Sequence, residues 1–418
     1  MPPLRIHPRN PRYFADGEGR AVYLTGSHHW DNLIDNGERP GAFSFERYLD
    51  HLESWGHNFI RLWAHEAWTH DLDPRPYLRT GPGLALDGRP RFDLRRFDPE
   101  YFGRLRQRVV QAAERGFFVS VMLFNGWSIH DKGEGNPWAN HPFNRCNNRN
   151  GIDGDPATRG EGSDVHTLRV PGITRFQESY ATKVVETVGD LDAVLWEISN
   201  ESPWGSLDWQ YHLIEHLRHA DRGRHPIGMT AFFPGNDNGD LFRSPADWIS
   251  PGNSRGGGWR RNPPLADGSK VVLVDTDHLW GIGGGAEWVW KTFLRGHHPI
   301  YMDPLGVDPL HEEARRAMGD TLRFSQRIDL AACVPEKAIC SSGYALVNRA
   351  PGAEEILAYL PRGKARLNLA GIEGSLLVEW FDPKVSDSIA GAPIPAGRRR
   401  SLAAPWKGEA VLLLKASR

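Results

Sequence analysis

From residue 21 to about residue 330, short apolar runs alternate with amphipathic helical segments, and this alternation narrows the possible folds more than any other feature. Ala21-Val22-Tyr23-Leu24-Thr25-Gly26 reads as a first strand, entered through the turn Asp16-Gly17-Glu18-Gly19. Ser44 can cap a helix whose apolar positions Phe45, Tyr48, Leu49, Leu52 and Trp55 follow the 3.6-residue period, and Gly56 ends it. Further strands are expected at Asn58–Trp63, Phe117–Phe124, Ala193–Ile198, Ile227–Ala231, Trp248–Ser250, Lys270–Val274 and Pro299–Met302. Helices are expected near 101–115, 174–188, 207–220, 287–294 and 312–330. Eight strands mostly separated by helices predict a parallel α/β fold, with near-continuous apolar strands covered on one side and filled on the other. A doubly wound sheet usually carries a Gly-rich phosphate loop after its first strand, but here that position holds Ser27-His28-His29-Trp30. The expectation is therefore a (β/α)₈ barrel over residues 1–330.

From about Ala331 the texture changes to short strands at 345–348, 356–359, 376–381 and 411–414, punctuated by Pro351-Gly352, Pro361-Arg362-Gly363 and Ala370-Gly371. Residues 331–418 are expected to form a small all-β sandwich. The basic run Arg398-Arg399-Arg400 reads as a solvated turn.

Barrel enzymes place their active-site groups at the C-terminal ends of the strands. Those positions hold His28, His29 and Trp30 after strand one, then Arg61, Trp63, His65 and Glu66 after strand two. Asn125 and Trp127 follow strand three, Asn200 and Glu201 follow strand four, and Asp275, Asp277, His278 and Trp280 follow strand seven. Asp303 follows strand eight and is the outside candidate for a second carboxyl, its plainer reading being a carboxylate that caps a turn. Carboxyls, histidines and tryptophans in such a ring suit cleavage of a sugar. Two carboxyls suffice for the reaction, and aromatic faces stack on the C–H faces of the sugar. There are 16 Trp in the chain, several of them in the loops after strands. The polar segment 128–170 is long enough to line a site. Of its charges, Glu134, Asp153 and Asp155 read as solvated.

The stretch Leu195-Trp196-Glu197-Ile198-Ser199-Asn200-Glu201, an apolar strand ending in Trp-x-x-x-Asn-Glu, resembles the fourth strand of the clan A (cellulase-like) glycoside hydrolases. The second strand, Asn58-Phe59-Ile60-Arg61-Leu62, looks like that clan's strand with an Arg lining the active site. The resemblance implies that Glu201 is the general acid/base and that Asn200 bonds the sugar 2-hydroxyl, with Glu197, deeper in the strand, structural. Strand seven departs from the pattern: where the clan carries a Glu nucleophile, this chain has Asp275-Thr276-Asp277. If the strand continues that far, both Asp side chains share a face; Asp277 is favoured slightly over Asp275. The shorter side chain leaves a retaining or an inverting outcome open. The module carrying Cys340-Ser341-Ser342-Gly343-Tyr344 and Val378-Glu379-Trp380-Phe381-Asp382-Pro383 resembles a small bacterial β-domain named for collagen binding, for which a packing or lid role against the barrel is expected.

The expected reaction is hydrolysis of an oligosaccharide or other glycoside without cofactor or metal. Rival classes are a carbohydrate-binding barrel without turnover and a metal-dependent barrel hydrolase. The second is weakened because adjacent His28-His29 point to opposite sides of a strand, and strands five and six supply no His at their ends. A formal net charge of -2 gives no hint of a nucleic-acid or membrane partner. Three cysteines fit a reducing compartment, and no signal peptide is visible at the N-terminus, so a cytoplasmic location is expected.

Overall fold

The structure, a computed structural model, describes residues 2–34, 43–68, 73–133, 135–235, 238–253 and 258–417. Glu134, considered above as a loop charge, lies outside the described residues.

Eight strands form one sheet: β1 (Gly26–His28), β2 (Phe59–Leu62), β3 (Phe118–Asn125), β4 (Val194–Asn200), β5 (Ile227–Thr230), β6 (Trp248–Ser250), β7 (Val271–Asp275) and β8 (His298–Met302). Their order in the sheet is β1-β8-β7-β6-β5-β4-β3-β2, which is the chain order of a (β/α)₈ barrel. The pairs β2–β3, β3–β4, β4–β5, β5–β6 and β7–β8 are all parallel. At the seam between the first and last strands of that order, Asn58 binds the chain leading into β1. Its backbone N–H donates to the Thr25 carbonyl (3.1 Å), while its side-chain amide accepts from Thr25 N–H (2.9 Å) and donates to the Tyr23 carbonyl (2.8 Å).

By the density of its contacts the chain falls into two compact units, and residue 330 lies inside the second of them. The first comprises Met1–Arg5, His28–His51 and Phe59–Ser254; the second comprises Ile6–Ser27, Leu52–Asn58 and Arg255–Arg418.

In the first unit every residue of β3 and β4 is buried, as the apolar runs required. Gly228 in β5 stands opposite Trp248 in β6, and a Cβ there would meet the indole at 1.9 Å, so a large ring fills the space a side chain would need. Among the described residues the helices are α1 (Phe45–Ser54), α2 (Pro99–Glu114), α3 (Pro171–Val188), α4 (Leu207–Ala220), α5 (Gly239–Arg243), α6 (Gly258–Arg261), α7 (Ala286–Leu294) and α8 (Pro309–Ser325), of which α2, α3 and α4 turn their apolar stripes inward. Asp98 caps the N-terminus of α2, its side chain accepting from Glu100 N–H at 2.9 Å. An antiparallel hairpin, Tyr77–Leu84 with Pro90–Phe97, adds to this unit and was not expected from the sequence.

Three boundaries differ from expectation. Ala21–Val22 belongs to a small three-stranded sheet with Arg5–Ile6 and Phe14–Ala15, so the first barrel strand is the later Gly26–His28, whose buried polar residues hid it. Strand seven stops at Asp275 and residues 277–280 form a turn, so Asp275 and Asp277 do not share one strand face. Arg399 and Arg400 open a strand rather than sit in a turn.

In the second unit, α7 (Ala286–Leu294) and α8 (Pro309–Ser325) carry the C-terminal β-structure. This comprises β9 (Val334–Pro335), β10 (Ala345–Asn348), β11 (Glu355–Leu360), β12 (Lys364–Asn368), β13 (Ser375–Asp382), β14 (Asp387–Pro395), β15 (Arg399–Ala403) and β16 (Ala410–Ala416). Six of these form one antiparallel sheet in the order β9-β10-β11-β16-β13-β14, and β12 pairs with β15 as a two-stranded ribbon. The sheet docks on the two helices through rings: Trp290 stacks on Tyr359 (6.4 Å, 5°) and contacts Phe381, which Phe324 meets edge-on at 5.1 Å. Arg327 forks the Glu379 carboxylate beside this cluster. The C-terminal module thus packs on α7 and α8.

Asp320 of α8 lies at the edge of that contact, where its Oδ2 accepts from Ser386 Oγ at 2.7 Å. Burial pushes its carboxyl up to about 6, against the opposing pull of Ser386 and Arg323. A carboxyl whose folded value is raised stabilises the fold fully below its unfolded value near 4, and loses that contribution as pH climbs through 6. Asp320→Asn copies the protonated form. It is expected to raise the melting temperature above pH 6 by the equivalent of roughly 1–3 kcal/mol, with the gain vanishing below pH 4. A gain of the same size at pH 4 and pH 8 would contradict the assignment.

Candidate active site

The first unit brings the residues after β2, β3 and β4 together by register. Asn125 and Asn200 are direct cross-strand partners at the ends of β3 and β4, and Glu201 follows immediately. Below them Arg61 forks Glu197, with Nε to Oε2 at 2.8 Å and Nη2 to Oε1 at 2.5 Å; the carboxylate also accepts from Ser120 Oγ at 3.2 Å. Glu197 has no exposed surface and Arg61 only 2%, so the pair is a buried ionic strut, as the depth of Glu197 in its strand suggested.

From this strut a chain of hydrogen bonds runs in one direction. Arg61 Nη2 donates to Asn200 Oδ1 (2.7 Å), Asn200 Nδ2 to Asn125 Oδ1 (3.4 Å), and Asn125 Nδ2 to His65 Nδ1 (3.2 Å). The His65 Nε2–H then donates to the Trp30 carbonyl at 3.3 Å. Burial lowers the His65 imidazole to about 4, so the ring is neutral and one nitrogen stays an acceptor. Bonds aligned head to tail polarise one another and lock both amides in a single orientation.

Glu201 sits at φ +44°, the left-handed region that side chains other than Gly, Asn and Asp rarely enter. Such strain persists only where the surroundings over-determine it, and here they do. Lys132 Nζ donates to the Glu201 carbonyl at 3.3 Å. Ser202 Oγ lies 2.9 Å from His166 Nδ1 and 2.5 Å from Ser199 Oγ. Gly126 leaves room for the turn, because a Cβ there would stand 2.2 Å from the Glu201 carbonyl oxygen. Gly126→Ala is therefore expected to cost about 1–3 kcal/mol of stability and to displace Glu201. A melting curve and a turnover assay check it, and wild-type values for both would contradict this reading of the turn.

The Glu201 side chain is 10% exposed. Its Oε2 accepts from Trp127 Nε1 at 2.8 Å and from Lys132 Nζ at 3.3 Å. Lys132 lies over the rings of Trp127 (4.7 Å) and Phe233 (4.2 Å). Both donors therefore reach the same carboxylate oxygen. Half-exposed Trp30 and Trp127 supply flat apolar faces in this unit.

Glu66 accepts from the backbone N–H of Asn125 (3.3 Å) and lies 3.3 Å from His166 Nε2. Ser202, His166 and Glu66 thus line up in the order of a hydrolytic triad, but Ser202 and His166 have no exposed surface. Their work is to hold the turn at Glu201, not to attack a substrate. Trp63 Nε1 donates to His28 Nδ1 (2.7 Å), and His29 stacks on Trp30 (4.2 Å) while accepting from Asp31 N–H.

In the second unit, Asp275 Oδ1 accepts from Asp277 N–H at 2.9 Å and so closes the turn that ends β7. The Asp277 carboxylate is 6% exposed and lies 3.7 Å from His278 Nε2. Trp280 is half-buried, edge-on to Trp288 at 5.6 Å. Asp303 accepts from Leu305 N–H (2.7 Å) and from Arg315 Nε (2.7 Å), so it caps a turn, the plainer of its two readings.

His166, Lys132, Ser202 and Phe233 carry no local sequence signal of their place here. The first two come from the long segment after β3, and their only signal is its length. Asp155, read as a solvated loop charge, is buried, and its carboxylate receives the N–H groups of Arg159 and Gly160. Among the described residues no group of three or more His, Cys, Asp or Glu side chains is arranged to hold a metal ion, and no helix is long and apolar enough to cross a membrane.

The order of strands and the antiparallel module after them define the class: a (β/α)₈ barrel with a C-terminal β-domain. Its solved neighbours are glycoside hydrolases. A structure described as a glycoside hydrolase is 13% identical, with a TM-score of 0.64 over 100% of this chain and 97% of its own. A glycoside hydrolase family 5 protein from Bacteroides vulgatus is 12% identical, with a TM-score of 0.64 over 99% of this chain and 93% of its own. A family 5 mannosidase from Rhizomucor miehei is 12% identical, with a TM-score of 0.51 over 79% of this chain and 99% of its own. The chain shares their fold. No family model matches the sequence, and no curated protein matches it.

Proposed function

We propose that this protein is a glycoside hydrolase whose residues 1–330 form the catalytic barrel, with Glu201 as general acid/base and a strand-seven carboxylate as its partner. The observation that carries the reading is the Glu201 carboxyl itself: it follows β4, is anchored through one oxygen, and is held at a strained φ by three separate restraints. Among the described residues Thr158, Arg222, Leu305 and Ser386 also take a positive φ, and what sets Glu201 apart is that its strained turn follows β4 and carries a carboxyl, which supports a proton-transfer task. Asn200, fixed between Arg61 and Asn125 and with no exposed surface, takes its part as the contact to a sugar hydroxyl from the resemblance to the clan alone. Trp30, Trp63, Trp127, His28, His29, His65 and Glu66 build the substrate side, with His278 and Trp280 after strand seven. Barrel enzymes draw catalytic groups from the ends of different strands, which supports pairing Glu201 with Asp277. The Asp275 carboxylate already closes its own turn and is the weaker candidate.

In the first step the Glu201 proton passes to the glycosidic oxygen as the C1–O bond breaks. In a retaining enzyme the Asp carboxylate bonds C1, and water then cleaves that ester while Glu201 takes back a proton. In an inverting enzyme the Asp deprotonates a water that attacks C1 directly. The two carboxyl groups stand about 5 Å apart for the first outcome and about 6.5–9.5 Å for the second. We favour retention, the outcome of the resembling clan.

The test is aryl-alcohol release from a panel of aryl pyranosides and furanosides of both anomers, with Asp275→Asn and Asp277→Asn run beside the wild type. Turnover abolished in Asp277→Asn and kept in Asp275→Asn supports the assignment. Sugar binding by calorimetry with no turnover on any member would replace it with a carbohydrate-binding barrel.

A further inference from the structure

The two-stranded ribbon of the C-terminal module concentrates positive charge on one face. Its register pairs Lys364 with Ala403, Arg366 with Ser401 and Asn368 with Arg399, and directly opposed residues share a face. All six are exposed, whereas Ala365 and Leu367 on the other face are buried. The exposed face therefore carries Lys364, Arg366 and Arg399 and no carboxylate. Arg362 adds a fourth cation in the turn leading into β12.

Beside this face lies a cleft of about 600 Å³, lined by Arg362, Lys364 and Arg366, the hydroxyls of Ser341, Ser342 and Ser401, and small apolar groups. The segment carrying Ser341 is tied to the ribbon edge. Ser341 N–H donates to the Arg366 carbonyl, and Ser341 Oγ accepts from Arg366 N–H, both at 2.9 Å. The hydroxyl proton of Ser341 therefore remains available as a donor. Among the described residues no carboxylate pairs with Arg362, Lys364, Arg366 or Arg399. Yet exposed arginines elsewhere in the chain do find partners, such as Arg349 with Glu336 and Arg327 with Glu379.

We propose that this cleft binds an acidic polysaccharide, a chain of sugars bearing carboxylate groups. Alternate residues on a strand stand roughly 7 Å apart, so Lys364 and Arg366 present a row of charge to an extended polymer. The serine hydroxyls suit sugar hydroxyls at the rim. Single-stranded nucleic acid binds its carriers by stacking bases on aromatic rings, and this cleft is lined by none. The site is distinct from Glu201 and does not depend on the hydrolysis proposed there.

Affinity electrophoresis of the full chain through gels containing polygalacturonate tests this, with a neutral galactan and single-stranded DNA of matched charge as the other probes. Retardation by polygalacturonate, lost between low and moderate salt and absent with galactan, is the expected result. Lys364→Ser/Arg366→Ser should weaken it by about tenfold while leaving aryl-glycoside turnover unchanged. Glu201→Gln should bind as the wild type does, which separates this site from the catalytic one. Should the double variant fold poorly, the salt dependence and competition by free galacturonate oligomers on the wild type decide the matter. Equal retardation of wild type and variant, equal retardation by galactan, stronger retention by DNA, or no retardation at all would overturn the proposal.

Discussion

Glu201→Gln is expected to lower turnover of a glycoside with a poor leaving group by about 10²–10⁴-fold, the usual contribution of a positioned proton donor. The substitution is nearly isosteric. Its amide carbonyl can still accept from Trp127 Nε1, so the turn at φ +44° and its supports stay in place. KM should change little, because what is removed is a proton delivered as the bond breaks rather than a contact made on binding. Thermal stability should stay close to that of the wild type. Turnover within a few-fold of wild type would remove Glu201 from the mechanism, whatever its place at the end of β4.

The largest effect on stability is expected at the buried strut. Arg61→Met leaves the Glu197 carboxylate in the barrel interior with Ser120 as its remaining neutral donor. Removing one member of a buried pair costs about 3–5 kcal/mol, because the other charge is stranded away from water. The Asn200 orientation goes with it, since Arg61 Nη2 is the donor that sets the direction of the chain through Asn125 and His65. Activity should therefore fall along with stability. Arg61→Met combined with Glu197→Leu should recover a good part of the stability and none of the activity, since well-packed apolar replacements often match a buried ion pair. If the single and double variants melt together, the penalty does not come from a stranded charge.

Much of this was legible in the sequence where a physical period existed. The apolar strands of the barrel and their spacing by helices follow from burial on both faces, and Asn200-Glu201 stood out because an uninterrupted apolar run stops there. The hairpin over residues 77–97 was missed because Gly81-Pro82-Gly83 punctuates its first strand and reads as a turn. Strand β14, with Gly391, Pro393 and Pro395 and nearly all its residues exposed, shows no alternation to detect. His166 and Lys132 escaped for a different reason. They come from an irregular segment, and what makes them matter is contact with Ser202 and Glu201, which no local pattern encodes. The end of strand seven was misjudged because Asp275 accepts from Asp277 N–H and closes a turn where alternation alone would continue the strand.

The most direct test of Glu201 as the acid is the dependence of rate on leaving group, measured for wild type and Glu201→Gln on a series of substituted phenyl glycosides of the sugar found active. A leaving group as acidic as 2,4-dinitrophenol departs without a proton. The variant is expected nearly to match the wild type on that substrate and to fall progressively further behind as the phenol becomes more basic. A deficit of the same size across the whole series would contradict it, and would give Glu201 a role in holding the site together instead of delivering the proton.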